Sequence, residues 1–86
     1  MLGLTKATAR DLATFGVTVN AVAPGYIDTE FLTGIDEAGK KRMTERIPLR
    51  RLGQAEEVAA LVAFLCGESA GYITGAVMVI DGGLSM

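Results

Sequence analysis

The residues best placed to form a functional site lie in one stretch, Asn20-Ala21-Val22-Ala23-Pro24-Gly25-Tyr26-Ile27-Asp28-Thr29. A valine-rich run, Val17–Ala23, leads into the turn without a glycine or a proline. Such a run suits a strand buried on both faces of a parallel sheet. Pro24 lacks the N–H that a central strand donates, so the strand is expected to end there. Gly25 lets the backbone turn sharply and lets another body approach the main chain closely. Ligands of open parallel sheets collect just beyond the carboxyl ends of strands. The turn from Pro24 to Thr29 is therefore where a binding site is expected.

Other reactive side chains offer less. Cys66 falls at the end of a helical pattern, and the chain contains no histidine. A nucleophile or zinc-site reading has no support there, and the residue reads as core. No metal site is expected anywhere. Lys40, Lys41, Arg42, Arg46, Arg50 and Arg51 make up six of the eight basic residues, with Glu45 the one acid among them. Such a cluster reads first as the wet face of a helix, although it could also attract an anionic substrate carrier. Arg51, within Pro48-Leu49-Arg50-Arg51-Leu52-Gly53, reads as structural, bonding loop carbonyls or carboxylates.

Four elements must position this turn. Residues 2–15 read as a helix, with Leu4, Ala7, Leu12 and Phe15 as its apolar set and Gly16 as its stop. It reads as core-facing. Residues 30–46 loosen into two short helical pieces between a strand and the next helix, a length typical of lids. The plain alternative is a solvated insertion. Gly53–Gly67 gives the clearest helix, with Glu56 and Glu57 in its first turn and Val58, Leu61, Val62 and Leu65 at helical spacing. After Tyr72-Ile73-Thr74-Gly75, the run Ala76–Ile80 reads as a second buried strand, closed by the turn Asp81-Gly82-Gly83. Strand, helix and strand make a βαβ unit with its strands parallel.

Composition sets the outer bounds. The 86 residues allow one small domain, half of them are hydrophobic, and there are only two prolines, so the chain is globular and not disordered. A net charge of −2 gives no reason to expect nucleic acid. One cysteine cannot form an internal disulfide, which fits a reducing cytoplasm. No run approaches the roughly 20 apolar residues of a membrane span, and no signal-peptide pattern opens the chain. The expected location is cytoplasmic.

The sequence resembles the classical short-chain dehydrogenase/reductases. The stretch Asn20–Thr29 is similar to their N-x-x-x-P-G-x-I-x-T motif. Pro48–Gly53, Glu57-Val58-Ala59, Tyr72–Gly75 and Asp81-Gly82-Gly83 match in the same order. The nearest likeness is to 3-oxoacyl-(acyl carrier protein) reductases and related alcohol or sugar dehydrogenases. The resemblance implies an α/β fold, the C-terminal part of a Rossmann-type doubly wound parallel sheet in the order helix–strand–lid–helix–strand. It also implies hydride transfer between NADP(H) or NAD(H) and a carbonyl, such as a 3-oxoacyl thioester or a similar ketone, or the matching alcohol. The main chain of Ile27 would then hydrogen-bond the nicotinamide carboxamide, and Thr29 the carboxamide or pyrophosphate. Pro24 and Gly25 would shape the turn beneath the ring, a bulky residue at Gly25 blocking its approach. Phe31 and Leu32 would belong to a substrate lid spanning residues 30–47. Homo-oligomers would form through the first helix and the C-terminal strand.

The same resemblance places two features outside these residues. A glycine-rich pyrophosphate loop and the acid/base pair Tyr-x-x-x-Lys would precede Met1, in a chain about three times as long. Neither Tyr26 nor Tyr72 has a lysine four positions on, and Asn20 belongs to the strand, so no catalytic residue is assigned. The 86 residues are thus expected to be the C-terminal fragment of a single NAD(P)-binding domain, inactive alone, with Met1 an internal methionine. The alternative is a short interaction module that associates with full-length paralogues.

Overall fold

Two four-residue strands, paired in parallel, form the centre of the molecule. The computed structural model describes residues 2–32 and 34–86; Met1 and Thr33 lie outside them, and with Met1 the question of where translation starts. In chain order the elements are α1 (Leu2–Ala13), β1 (Ala21–Pro24) and β2 (Ile27–Asp28), then a 3-10 turn at Glu30–Leu32. They continue with α2 (Glu37–Glu45), β3 (Gly53–Gln54), α3 (Ala55–Cys66), a 3-10 turn at Glu68–Ala70, and β4 (Val77–Ile80). β1 and β4 run parallel, with Ala21 opposite Val77 and Pro24 opposite Ile80. The expected order of helix, strand, helix and strand and the parallel pairing are what the fold contains, with the 3-10 turn and α2 in the intervening segment.

β1 is shorter and less enclosed than the apolar run suggested. It spans Ala21–Pro24 rather than Val17–Ala23, its residues are half-buried at most, and Val17 is 45% exposed. Residues 17–20 are held by other bonds. The Val19 N–H donates to Thr74 Oγ1 (3.0 Å) and its carbonyl accepts from the Gly75 N–H (2.7 Å). The Asn20 amide works in both directions: Nδ2 donates to the Ile73 carbonyl and Oδ1 accepts from the Ala76 N–H, each at 3.0 Å. Tyr72–Gly75 is thus a clasp for the entry to β1.

Pro24 is the last residue of β1, not the first beyond it. The Ala21 and Gly25 N–H groups donate to the Ala76 and Ile80 carbonyls, at 2.9 and 3.0 Å. Alternation along the strand then turns the Pro24 nitrogen to the opposite edge, where no described strand pairs and no donor is needed. β4 is likewise not fully buried, with Val79 57% exposed.

The helices follow their signals more closely than their faces do. α1 stops at Ala13, and Gly16 takes φ +73° just after the last turn, where a left-handed residue ends helices. Its buried positions are Thr5 and Ala9, whereas Leu4 and Phe15 are exposed, so the core-facing reading holds for one narrow stripe. α2 is capped by Asp36, the residue before it, whose carboxylate accepts from the Gly39 N–H (2.8 Å). Lys41, Arg42, Arg46, Arg50 and Arg51 are exposed, in keeping with a wet basic face. Ala55 is the first residue of α3, and Val58, Leu61 and Leu65 are half-buried. Cys66 is exposed and is not core, because the described chain leaves that side of the helix end uncovered.

Candidate functional site

Beyond the carboxyl ends of β1 and β4, three segments converge. They are Gly25–Ile27, the corner Ile47–Gly53, and the turn Asp81-Gly82-Gly83. Ile47 is buried to 1% exposure beneath them. The convergence depends on glycine, because several backbones meet without room for side chains. A Cβ on Gly25 would lie 2.6 Å from Asp81 Cβ and 2.9 Å from Asp81 Cα. The direction in which that side chain would project is therefore filled by Asp81. A bulky residue at Gly25 would collide there, a reason for glycine that needs no bound ring.

Ile27 is placed by a pairing that the sequence did not reveal. β2 and β3 form a parallel two-residue ladder, Ile27 opposite Gly53 and Asp28 opposite Gln54. The Gly53 N–H donates to the Tyr26 carbonyl at 3.0 Å. Successive residues of a parallel ladder turn their N–H and C=O groups to alternate sides. Those of Ile27 therefore point away from β3, to an edge that no described strand pairs. The Ile27 side chain lies over Gly53, where a Cβ would come within 2.8 Å of Ile27 Cδ1. A Cβ here would displace the far end of the Ile27 side chain and leave the backbone pairing of β2 and β3 in place.

Pro24, Ile27 and Thr29 line one open apolar groove of about 550 Å³ with Ala55, Val58 and Val62 of α3. Tyr26, Ile27, Arg51, Gly53 and Asp81 border a smaller hollow of about 110 Å³ next to it. Of the residues expected to act together, the structure gathers Pro24, Ile27 and Thr29 in one wall. Gly25 faces Asp81 instead. Leu32 is half-buried in the 3-10 turn, where its N–H donates to the Thr29 carbonyl at 3.0 Å. Phe31 shares that turn by its backbone; its side chain lies outside the described ones.

The charged groups at this end are committed to structure. Arg51 grips Glu57 with both guanidinium nitrogens, Nη1 to Oε1 at 2.7 Å and Nη2 to Oε2 at 2.9 Å, and also donates to the Leu52 carbonyl. The structural role expected for Arg51 is the one it has. Glu57 in turn accepts from the Gln54 N–H at 3.0 Å, capping α3. The hydrogen bond from Arg51, then that from Gln54, lower the Glu57 carboxyl from its ordinary 4.5 to about 2. The same pairing raises Arg51. Asp81 is held below its ordinary value, first by the Ser85 hydroxyl and then by backbone N–H groups of its own turn. Among the described residues no cluster of histidine, cysteine or carboxylates could hold a metal, and no helix is long and apolar enough to cross a membrane.

Three positions that matter here were not foreseen: Gly53 as the partner of Ile27, Glu57 as the anchor of Arg51, and Asp81 as the backing of Gly25. The Glu57 role had a local signal, a carboxylate three residues beyond the helix cap. The other two pair residues far apart in the chain.

This arrangement has known counterparts. A family model described as enoyl-(acyl carrier protein) reductase matches residues 1–85. Nodulation protein G of Azospirillum brasilense is 47% identical over 85 residues, covering 99% of this chain and 35% of that protein. A 3-oxoacyl-(acyl-carrier-protein) reductase of Pseudomonas aeruginosa is 48% identical over 84 residues, covering 98% and 34%. Among solved structures, a Serratia marcescens short-chain dehydrogenase/reductase superposes with a TM-score of 0.90 at 46% identity, over 99% of this chain and 34% of that one. The chain thus spans about a third of the length of the relatives it matches. With the motifs in register, the matched residues and the shared fold, the chain belongs to the short-chain dehydrogenase/reductase family of oxidoreductases.

Proposed function

We propose that these residues form the carboxyl-end wall of a nicotinamide site in a carbonyl reductase of the 3-oxoacyl thioester type. The observation that carries this reading is the orientation of Ile27. Its N–H and C=O face an unpaired edge, side by side, beyond the ends of two parallel strands. A primary carboxamide offers both a donor and an acceptor, and so complements that pair. Pro24 and Thr29, in the same apolar wall, suit the flat ring and its amide. The residues therefore fit a nicotinamide, in NADP(H) or NAD(H). Bound there, the cofactor would supply a hydride to a carbonyl carbon.

In this reading the chain binds and orients; it does not move the proton. Ile27 fixes the ring through its main chain, Thr29 contacts the carboxamide or pyrophosphate, and Gly25 sets the turn beneath. The segment 30–47, with Phe31 and Leu32 at its start, covers a small-molecule or acyl-thioester substrate. The acid/base pair comes from residues that these 86 do not include. The chain alone is then inactive, and the complete enzyme is a cytoplasmic homo-oligomer, associated through α1 and β4. The exposed Leu2, Leu4 and Val79 support contacts through those elements. They equally favour a second reading, in which the chain is a module that docks onto full-length paralogues.

The test is a hybrid in which this chain replaces the matching 84 residues of the Pseudomonas reductase. Cofactor oxidation by the hybrid with a 3-oxoacyl thioester, and none by the chain alone, supports the first reading. Activity of the chain by itself would overturn it. Reading the genomic DNA just before the Met1 codon separates the two proposals: an in-frame Tyr-x-x-x-Lys favours the enzyme, and a stop codon followed by a ribosome-binding site favours the module.

A further inference from the structure

The turn after β4 touches the candidate site from two sides. Directly, Asp81 Cα and Cβ fill the space into which a Gly25 side chain would project. Indirectly, Gly82 accepts a hydrogen bond from the Leu49 N–H at 3.1 Å, and Gly83 lies against Pro48, where a Cβ would come within 3.0 Å of Pro48 Cγ. That corner runs on to Gly53, which bonds the Tyr26 carbonyl and pairs with Ile27. Gly82 and Gly83 have φ of +65° and +93°, which glycine adopts without strain. One side chain holds this turn closed. Asp81 Oδ1 accepts from the Gly83 N–H at 2.9 Å, and Oδ2 from the Ser85 N–H at 3.0 Å.

We propose that Asp81 is a positioning residue for the Gly25–Ile27 turn and, through it, for the nicotinamide carboxamide; the second half rests on the cofactor reading above. The physical reason is preorganisation. A main-chain donor and acceptor bind tightly only if their spacing is fixed before the ligand arrives. β2 and β3 share only two residue pairs, too few to fix Ile27 unaided. Asp81 sets one side of that short ladder through Gly25. Its own turn sets the other side through Leu49 and the corner leading to Gly53. The role needs the acceptor for the Gly83 N–H and not the charge. Asparagine retains one oxygen for the Gly83 N–H and so keeps the turn, whereas alanine retains none.

Amide hydrogen exchange and cofactor titration, both on the hybrid, test this with Asp81→Ala, Asp81→Asn and Gly82→Ala. Exchange at Gly25 and Gly53 reports positioning without any cofactor. Asp81→Ala is expected to speed exchange at both amides and to weaken cofactor binding about fivefold, the scale of losing one capping interaction. Gly82→Ala, which opens the turn by collision with Ile47, is expected to do the same, and Asp81→Asn to stay within about twofold of the parent, a fraction of that loss. If Asp81→Ala speeds exchange at Gly83 and Ser85 but leaves Gly25 and Gly53 unchanged, the turn is local and the proposal is wrong. If Gly25 and Gly53 respond but the unsubstituted hybrid binds no cofactor, the positioning stands and the nicotinamide reading fails.

Discussion

Gly25 and Asp81, each the first residue beyond a parallel strand, are packed so closely that no side chain fits between them: a Cβ on Gly25 would lie 2.6 Å from Asp81 Cβ. The nearest obstacles are the β-carbon and backbone of Asp81, which cannot swing aside as a long side chain would. Gly25→Ala in the hybrid is therefore expected to cost roughly 1–3 kcal/mol, the usual cost of overpacking. Because the turn carries Ile27, cofactor affinity should fall at least about tenfold, some 1.4 kcal/mol. Urea midpoints and cofactor titration check the two parts. Full stability with unchanged affinity would show that the turn tolerates a side chain.

Asn20 is a brace. Its side chain joins the Ile73 carbonyl to the Ala76 N–H across the entry to β1. Asn20→Ala leaves both partly buried groups unsatisfied and should cost about 1–3 kcal/mol. Asn20→Asp keeps the acceptor for Ala76 but turns a carboxylate oxygen toward the Ile73 carbonyl, so it should cost at least as much as alanine. Denaturant midpoints of the two variants give that order or contradict it.

Acid should weaken α3 at its start. Glu57, at about 2 when folded, keeps its charge where the unfolded chain would take up a proton near 4.5. Its contribution is complete above the unfolded value and is lost as pH falls through that interval toward about 2. Both partners are well exposed, so the effect is small. Arg51→Met removes the main cause of the shift. The parent should lose more stability than Arg51→Met between neutral pH and about 2.5, by denaturation midpoint. Equal losses would mean that the pair adds nothing.

How far the sequence carried depends on the range of each interaction. α3 was legible because its acidic first turn, apolar spacing and closing glycine are local, and the parallel β1–β4 pairing followed from one βαβ pattern. The Pro24–Thr29 wall was legible as a turn after a strand. The β2–β3 ladder was not, since two residues have no periodicity to display. Gly25 signalled a close approach, but its partner lies far along the chain at Asp81 and leaves no local trace. Cys66 was misplaced because helical spacing describes a stripe and says nothing of whether that stripe is covered.

The chain alone should not remain a well-packed monomer. Its radius of gyration is 15.6 Å, with extents of 50 × 23 × 21 Å; a compact 86-residue domain would have about 12 Å. Among the described residues, Ala9, Ile47 and Ala70 are the fully buried apolar ones, and the second edges of β1 and β2 are unpaired. Open edges beside exposed valines favour pairing with another chain. Sedimentation at micromolar concentration, with thermal melting, should give dimers, larger assemblies or a broad melt. A single monomer with a sharp cooperative melt would favour the stand-alone module.

Ile27 allows the most direct measurement. Its N–H faces the open edge, so proline there removes no bond of the β2–β3 ladder. It does remove the donor assigned to the cofactor carboxamide. The measurement is a cofactor titration of the hybrid and of its Ile27→Pro variant, each first verified as folded by a cooperative melt. The expected result is saturable binding by the hybrid and at least about tenfold weaker binding by the variant, some 1.4 kcal/mol. Equal affinity in two folded proteins would contradict the placement of the nicotinamide against Ile27.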